Sequence, residues 1–226
     1  MHHVSVLPEP ELIYPVILLA SIIQSLFGVG VLLLGTPWML LLGMTFPATL
    51  QLLLPISLTI SLLQLRRGHQ YVDRVLLRGI ATLTLPAIVV ALLASTRWSP
   101  PLEIFVAILV LTFSLQDRMR FIRHGLNQLL GFERTYIAIM GFVHGASNLG
   151  GSMLTALAFG KGLHRDISRA TIAAGYTLFA VVQLTTLRLA GTNWQVDLGT
   201  GAGLIVVGAT TFWLTEHYIF SRFDSR

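Results

Sequence analysis

The sequence predicts an all-α, polytopic helical membrane protein. Hydrophobic residues make up 54% of the 226-residue chain, charged residues only 11%, and the mean hydropathy is +0.75. An ordinary soluble domain is about 25% charged, and a soluble core could not bury this much apolar surface. The third observation is that glycine and polar residues interrupt two apolar stretches, which a lipid-facing helix does not tolerate.

Two features of the composition limit the chemistry. The sequence has no cysteine, which excludes disulfides, thiol chemistry and cysteine-ligated metals, and we expect neither a metal nor a cofactor. The net charge of +5 indicates arginines in cytoplasmic loops, and we expect no nucleic-acid partner. Residues 1–11 have no basic region and no small-residue cleavage site, so we expect no signal peptide. The first apolar segment is therefore expected to remain in the mature protein.

Charged loops and helix breakers divide the chain into two halves of similar plan. The first half, residues 1–115, has a broken apolar segment at 12–43 and spans at about 48–65, 79–95 and 102–115. Pro86 predicts a kink in the second of these spans. Residues 116–134 form a cytoplasmic linker, and the second half, residues 135–226, has a broken segment at 135–159 and spans at about 167–187 and 198–214. Each broken segment is either a helical hairpin or a span followed by a half-helix.

The distribution of lysine and arginine predicts the orientation in the membrane. The loops at 66–78, 116–134 and 161–169 are arginine-rich and are expected in the cytoplasm, whereas the loops at 96–101 and 188–197 are expected outside. The N-terminal tail is expected outside and the C-terminal tail inside. This topology closes only if both broken segments return to the side from which they entered, the first from outside and the second from inside. The two halves are therefore expected to be oppositely oriented.

The two broken segments also resemble each other. An offset of 120 residues pairs Gly30 with Gly150, and an offset of 122 pairs Ala48-Thr49 with Ala170-Thr171. A two-residue insertion in the second turn reconciles the offsets, although glycine-rich apolar sequence also aligns by chance. Duplicated halves with broken helices are the recurrent design of secondary transporters, which bind substrate near the membrane midplane between the repeats. We therefore expect a membrane transporter.

The broken segments carry the candidate site. A half-helix that starts within the membrane presents free backbone N–H groups and the positive end of its dipole, which together attract an anion. Glycine lets the anion approach the backbone, neutral side chains add hydrogen-bond donors, and no acidic residue interrupts either segment. The predicted substrate-binding residues are Gln24, Ser25, Gly28, Gly30, His144, Ser147, Asn148, Gly150, Gly151 and Ser152.

These residues also have purely structural interpretations. His144 is either a ligand or proton relay, or a hydrogen-bonded packing residue. Asn148 either touches substrate or caps a helix, and the glycines either expose backbone or allow close helix packing. Arg169, which lies outside the predicted set, either faces the cavity or anchors its helix at the cytoplasmic surface.

The glycine motifs resemble those of the TauE/SafE family of sulfite and organosulfonate permeases. The family pattern is Gly-x-Gly-Gly-Gly-x-Leu-x-x-Pro near the end of the first helix of each half. The first copy here is residues 28–37, with Pro37 at the family spacing and two glycines of the triplet replaced; the second copy, residues 148–154, keeps Gly150-Gly151 and lacks the proline. Arg67-Gly68-His69 with Val72-Asp73 is similar to the family's loop after its second helix. The chain is short for the family by one helix at the end of the second half.

The resemblance implies a multi-pass protein of the plasma membrane that moves sulfite, an organosulfur compound or a related small oxyanion. Coupling to protons or another ion and a homo-oligomeric assembly are compatible with it. Two other functions remain open at this point. One is a membrane-embedded enzyme with His144 as base and Ser147 or Ser152 as nucleophile, although no Gly-x-Ser-x-Gly elbow or metal-ligand cluster is present and we expect no enzyme. The other is a non-transporting assembly subunit in which the glycines serve packing.

Overall fold

The chain folds into helices in a computed structural model that describes residues 9–98, 111 and 131–220, and no strand occurs among these residues. Two π-helical turns, at Ile80–Thr84 and Glu216–Phe220, follow the fourth and the last helix. The helices are α1 (Pro10–Phe27), α2 (Val31–Leu41), α3 (Phe46–Gly68), α4 (Arg74–Gly79), α5 (Leu85–Trp98), α6 (Glu133–Ser147), α7 (Gly150–Gly160), α8 (Arg165–Leu189) and α9 (Leu198–Thr215).

The fold is therefore the polytopic helical class that the sequence predicts. Within the described ranges, four helical stretches are long and apolar enough to cross a membrane: Phe46–Tyr71, Arg74–Arg97, Arg165–Leu189 and Leu198–Tyr218. The most apolar part of α3 and of α8 is 67% buried inside the protein, whereas that of α9 is only 28% buried. The centre of the protein is thus formed by α3 and α8, and α9 is an outer helix. The predicted span at 102–115 and most of the linker at 116–134 fall outside the described residues.

Local sequence signals set the helix boundaries. Thr45 caps α3, whose second residue is a proline, and Asp73 and Asp197 accept hydrogen bonds from first-turn amides of α4 and α9. A π-helical turn at Ile80–Thr84 immediately precedes the first turn of α5, which contains Pro86; the kink at Pro86 stays a prediction. Arg74–Arg97 is consequently one long span with an irregular turn inside it.

Both broken segments fold back as helical hairpins with arms of unequal length: α1 has 18 residues, nearly a span, and α2 only 11. A Cβ atom on Gly30 would lie 2.4 Å from the carbonyl oxygen of Ala20, so α2 returns along α1. A Cβ on Gly150 would lie 2.6 Å from the carbonyl oxygen of Met140, so α7 returns along α6 in the same way. The reversal follows a left-handed residue in each case, Gly28 with φ +78° and Asn148 with φ +64°. We name these hairpin 1 (α1–α2) and hairpin 2 (α6–α7).

The hairpins open toward opposite ends of the protein. The central helices α3 and α8 are antiparallel, because Gly68 at the end of α3 lies beside Ala170 near the start of α8, and Gln51 near the start of α3 donates a 2.9 Å hydrogen bond to the carbonyl of Asn193 beyond the end of α8. Hairpin 1 opens at this second end, where Thr45 contacts Gln195.

Hairpin 2 opens at the other, arginine-rich end. A 2.7 Å ion pair between Glu133 and Lys161 joins the start of α6 to the residue after α7. Each hairpin also packs against an outer span from the other half of the sequence, α1 against α9 and α6 against α5. The α6–α5 contact uses Gly141 and Gly145, where added Cβ atoms would lie 2.5 Å from carbonyl oxygens of Thr84 and Ile88. This exchange is the packing expected of oppositely oriented halves; the repeat boundaries themselves stay a prediction.

Cysteine labelling tests the orientation, and the chain has no cysteine of its own to interfere. Gln70 and His164 are exposed at the end where α3 finishes and α8 begins. We expect Gln70→Cys and His164→Cys to react with an impermeant maleimide only from the cytoplasmic side, and Asn193→Cys to react only from outside. Labelling of Gln70→Cys and His164→Cys from opposite sides would contradict the topology.

Candidate functional site

The two predicted side chains at the tip of hairpin 1, Gln24 and Ser25, are paired within the protein. Gln24 is completely buried; its Nε2 donates to the carbonyl and Oγ of Ser57, each at 3.0 Å, and its Oε1 accepts from the backbone N–H of Val31 at 3.1 Å. The Oγ of Ser25 donates to the carbonyl of Ser21 at 2.7 Å. The first amide of α2 and the predicted side-chain donors are therefore already engaged, whereas the neighbouring Ser21 Oγ is buried without a hydrogen-bond partner among the described residues.

The tip of hairpin 2 is built around His144. The ring is completely buried, and its centroid lies 4.5 Å from that of Phe179 and 6.4 Å from that of Tyr176. His144 Nε2 lies 3.1 Å from Oε1 of Gln183. Because an amide oxygen only accepts, Nε2 carries the proton, and Nδ1 of the neutral ring is an acceptor. Gly150 packs directly on the Cβ of His144, which places the histidine beside the first turn of α7.

Four buried polar atoms in this region have no hydrogen-bond partner among the described residues: His144 Nδ1, Asn148 Oδ1, Tyr176 Oη and Gln183 Nε2. All four side chains are completely buried. Gln183 bonds His144, and the ring of Tyr176 lies against that of His144 with its Oη beside Gly151. Asn148 is joined to His144 through the backbone, where its N–H donates to the His144 carbonyl at 2.7 Å. Buried polar groups are almost always paired, and unpaired ones in a native structure indicate an absent ligand, an ion or water. We call this set, with Gly150 and Gly151, the hairpin 2 cluster.

The cluster offers both kinds of hydrogen-bonding group. The Tyr176 hydroxyl and Gln183 Nε2 donate, whereas His144 Nδ1 and Asn148 Oδ1 accept. The first amides of any α-helix have no acceptor within the helix. In α7, the N–H of Ser152 donates to the carbonyl of Leu149 at 3.1 Å. The N–H groups of Gly150 and Gly151 are therefore the ones at the helix start that could donate to a ligand. No formal charge is present on the four side chains when His144 is neutral.

Both hairpin tips contact α8, at different positions. The tip of hairpin 1 meets α8 at Ile172, which a Cβ on Gly28 would approach to 3.1 Å, and the hairpin 2 cluster includes Tyr176 and Gln183 of α8. These two residues lie four and eleven positions beyond Ile172, or about 6 and 16 Å along a helix, and a single cage formed by both tips stays a prediction. A 2.9 Å hydrogen bond from Asn148 Nδ2 to Thr36 Oγ1 links hairpin 2 to the middle of α2.

The two serines near His144 hold the backbone. Ser147 Oγ donates to the carbonyl of Val143 at 2.6 Å and accepts from the N–H of Leu149, and Ser152 Oγ donates to the carbonyl of Leu149 at 2.8 Å. Both hydroxyl protons therefore stabilise the turn between α6 and α7, and His144 has its described bond to Gln183 and not to either serine. This geometry does not activate a serine nucleophile.

Sequence reasoning missed Tyr176 and Gln183. They are seven residues apart on α8, so they share one face of the helix with Phe179 between them. A tyrosine and a glutamine at helical spacing inside a full span were a usable signal, because polar side chains within a membrane helix face the protein interior. The predicted residues lay in the glycine-broken segments, whereas half of the unpaired atoms belong to an unbroken helix.

Arg169 lines a cavity at the arginine-rich end, a position that fits both of its sequence interpretations. The cavity, of about 140 Å³, lies at the arginine-rich end between α3, α8 and the end of α9. The guanidinium donates to the carbonyl of Ser25 at 2.6 Å, at the tip of hairpin 1, and pairs with Glu216.

Comparison with known proteins gives one match. The family model described as "Sulfite exporter TauE/SafE" matches residues 13–226, essentially the whole chain. Searches of curated proteins and of solved structures gave no match.

Proposed function

The chain belongs to the sulfite exporter TauE/SafE family, and from this premise we propose that it carries sulfite or a related sulfur oxyanion across the membrane by way of the hairpin 2 cluster. The observation that carries the proposal is the group of four unpaired buried polar atoms beside the start of α7. A transporter of this family needs a polar site inside an apolar bundle, and these four atoms include both hydrogen-bond donors and acceptors.

The chemistry of the cluster favours a singly charged, protonated oxyanion. Hydrogensulfite has oxygens that accept from the Tyr176 hydroxyl, from Gln183 Nε2 and from the amides of Gly150 and Gly151. Its own O–H can be accepted by His144 Nδ1 or Asn148 Oδ1. Neutral donors and a helix start bind an anion without the strong ion pair that would slow its release. His144 also provides a place for the transported proton, because Nδ1 faces a bound O–H while Nε2 stays bonded to Gln183.

Hairpin 1 has a different task in this proposal. Because Gln24 and Ser25 are engaged with α1, α2 and α3, they shape the wall of the pathway. Thr36 of α2 reaches the hairpin 2 cluster through Asn148. Movement of hairpin 1 would therefore be transmitted directly to the substrate-binding residues, which suits alternating access.

The other functions considered from the sequence receive less support. Family membership favours transport over catalysis, and Ser147 and Ser152 lack the bond to His144 that a nucleophile requires. A pure assembly subunit would have no use for completely buried, unpaired polar atoms, which are unfavourable in a packing interface.

Reconstituted vesicles test the proposal. Purified protein in proteoliposomes is expected to accelerate uptake of radiolabelled sulfite, and excess unlabelled sulfite is expected to compete. Absence of flux for sulfite, sulfate, thiosulfate and a short alkanesulfonate alike would refute the transport function.

A matched pair of tyrosine variants tests the site. Tyr176→Phe removes the unpaired hydroxyl and keeps the ring, and we expect the apparent affinity for sulfite to fall by roughly tenfold or more, because a hydrogen bond to a charged group contributes about 1.5–3 kcal/mol. Tyr136→Phe is the control: that hydroxyl donates to the carbonyl of Met153 at 2.8 Å, so its loss should lower stability and leave affinity unchanged. Equal affinities of Tyr176→Phe and wild type would place the substrate elsewhere.

A further inference from the structure

The cavity at the arginine-rich end is lined by charged and polar side chains from three spans. Its walls include Gln64, Arg67, Tyr71, Asp166, Arg169 and Glu216. The volume of about 140 Å³ is well above the roughly 10–15 Å³ that a single water needs. The cavity therefore has room for a small oxyanion.

Glu216 pairs with both arginines that line the cavity. It begins the π-helical turn after α9, and its carboxylate reaches arginines on two different helices. Oε2 lies 2.9 Å from Arg67 Nη1 on α3, and Oε1 pairs with Arg169 Nη2 on α8. The carboxylate side chain is only 9% exposed, whereas that of Arg67 is 60% exposed. Two guanidinium groups that hold the two oxygens of one carboxylate form the arrangement that binds a small oxyanion.

The cavity is connected to the tip of hairpin 1. Arg169 donates to the carbonyl of Ser25, and Gln64 Nε2 donates to the carbonyls of Gln24 and Ser25 at 3.0 and 3.3 Å. Gln64 Oε1 is buried and has no hydrogen-bond partner among the described residues. The residues that would contact a ligand in the cavity thus also hold the last carbonyls of α1.

We propose that Arg67 and Arg169 form a cytoplasmic entry site for a small oxyanion, and that the Glu216 carboxylate occupies this site until an incoming anion displaces it. Displacement moves Glu216 toward solvent at the end of α9 and leaves two guanidinium groups facing the ligand, with Asp166 as the other acidic group in the lining. The same exchange loosens the hold of Arg169 on hairpin 1, so anion entry is coupled to release of that tip. The coupling rests on the proposed transport function, whereas the binding site does not.

Cysteine protection measures binding to this site directly. Gly68 lines the cavity, and a Cβ there meets only Ala170 at the ordinary distance of 3.6 Å, so Gly68→Cys fits without strain. In purified Gly68→Cys protein, sulfate is expected to slow maleimide labelling; sulfate is the probe anion because sulfite would itself add to the maleimide double bond. Adding Glu216→Gln removes the internal competitor, and the half-protecting concentration should fall by tenfold or more. Further addition of Arg169→Gln should abolish protection. An unchanged half-protecting concentration in Glu216→Gln would overturn the proposal.

Two controls separate this result from instability and from failure of transport. Glu133→Gln removes a carboxylate from the exposed ion pair with Lys161 at the same end and should leave protection unchanged. Should Glu216→Gln unfold, Glu216→Asp, whose shorter side chain cannot reach both arginines, is expected to give a smaller fall in the same direction, and no fall would overturn the proposal. Tyr176→Phe should lower flux without changing protection at Gly68→Cys. Failure of the proposed transport site and failure of the proposed entry site would therefore give different results.

Discussion

Replacing Gly151 with alanine is expected to abolish anion transport. An ideal Cβ at this position would lie 1.5 Å from Oη and 2.2 Å from Cζ of Tyr176. The ring of Tyr176 is completely buried and packs against Phe179 and His144, so it has no space to withdraw. Overpacking of this kind destabilises by about 1–3 kcal/mol, which offsets the roughly 1 kcal/mol that alanine gains over glycine in a helix.

The loss should exceed what reduced stability explains, because the new methyl group would displace the Tyr176 hydroxyl and obstruct the start of α7. Sulfite flux per folded molecule in proteoliposomes is the measurement, with the folded fraction taken from size-exclusion chromatography. Gly201→Ala is the matched control, since its Cβ would meet Val196 at the ordinary distance of 3.7 Å. Wild-type flux in Gly151→Ala would show that Tyr176 and the start of α7 take no part in transport.

A double variant sharpens the test. Adding Tyr176→Phe to Gly151→Ala removes the hydroxyl contact but leaves the ring carbon at 2.2 Å. Flux is therefore not expected to return. Recovery in the double variant would indicate that the ring moves freely, contrary to its buried position.

The membrane-crossing plan was predictable because it depends on composition alone. Apolar runs bounded by arginine-rich loops predicted spans that fall within α3, α8 and α9 to within a few residues, and glycine clusters marked where both hairpins turn. The predicted topology required each broken segment to turn back on itself, and α2 and α7 each fold back along the preceding helix; the side of the membrane on which each hairpin opens stays a prediction. These features follow from the length of a span and from the distribution of charge, so no knowledge of tertiary contacts was needed.

The depth of the hairpin tips could not be predicted from the glycine pattern. A single cage near the midplane was expected, yet α1 alone has 18 residues and is about 27 Å long, close to the roughly 30 Å thickness of the hydrocarbon core. Its tip therefore reaches Arg169 near the far surface. Which polar atoms remain unpaired also depends on contacts between distant helices: Gln24 is paired with Ser57, 33 residues away, and Nε2 of His144 is paired with Gln183, 39 residues away.

These two pairings occupy matching places in the two halves. Gln24 and His144 are related by the offset of 120 that pairs Gly30 with Gly150, and Ser61, a further partner of Gln24, is related to Gln183 by the offset of 122. The same scaffold position thus carries a glutamine locked to serines in hairpin 1 and a histidine with a vacant nitrogen in hairpin 2. We infer that the halves have diverged in role, with one tip serving as a structural gate and the other as the binding site.

Alanine at the two fold-back glycines should have the largest effect on stability. A Cβ on Gly30 would lie 2.4 Å from the carbonyl oxygen of Ala20 and from the amide nitrogen of Gln24, both backbone atoms of α1 that cannot turn aside. A Cβ on Gly150 would lie 2.5 Å from His144 Cβ and 2.6 Å from the carbonyl oxygen of Met140. Each change forces its two helices apart, and we expect destabilisation of about 3 kcal/mol, at the upper end for overpacking.

The two variants should differ in a way that separates the roles of the hairpins. Both should lower the unfolding temperature and broaden the size-exclusion peak, whereas Gly203→Ala, with Tyr14 at 3.8 Å, should do neither. In the folded fraction that remains at low temperature, Gly150→Ala should also weaken sulfite binding, because it moves His144. Gly30→Ala should weaken sulfite binding at the hairpin 2 cluster less, because Gln24 and Ser25 lie outside that proposed site. Equal loss of affinity in both variants would mean that the two tips bind the substrate jointly, and a monodisperse Gly30→Ala with the wild-type unfolding temperature would mean that α2 does not lie against α1.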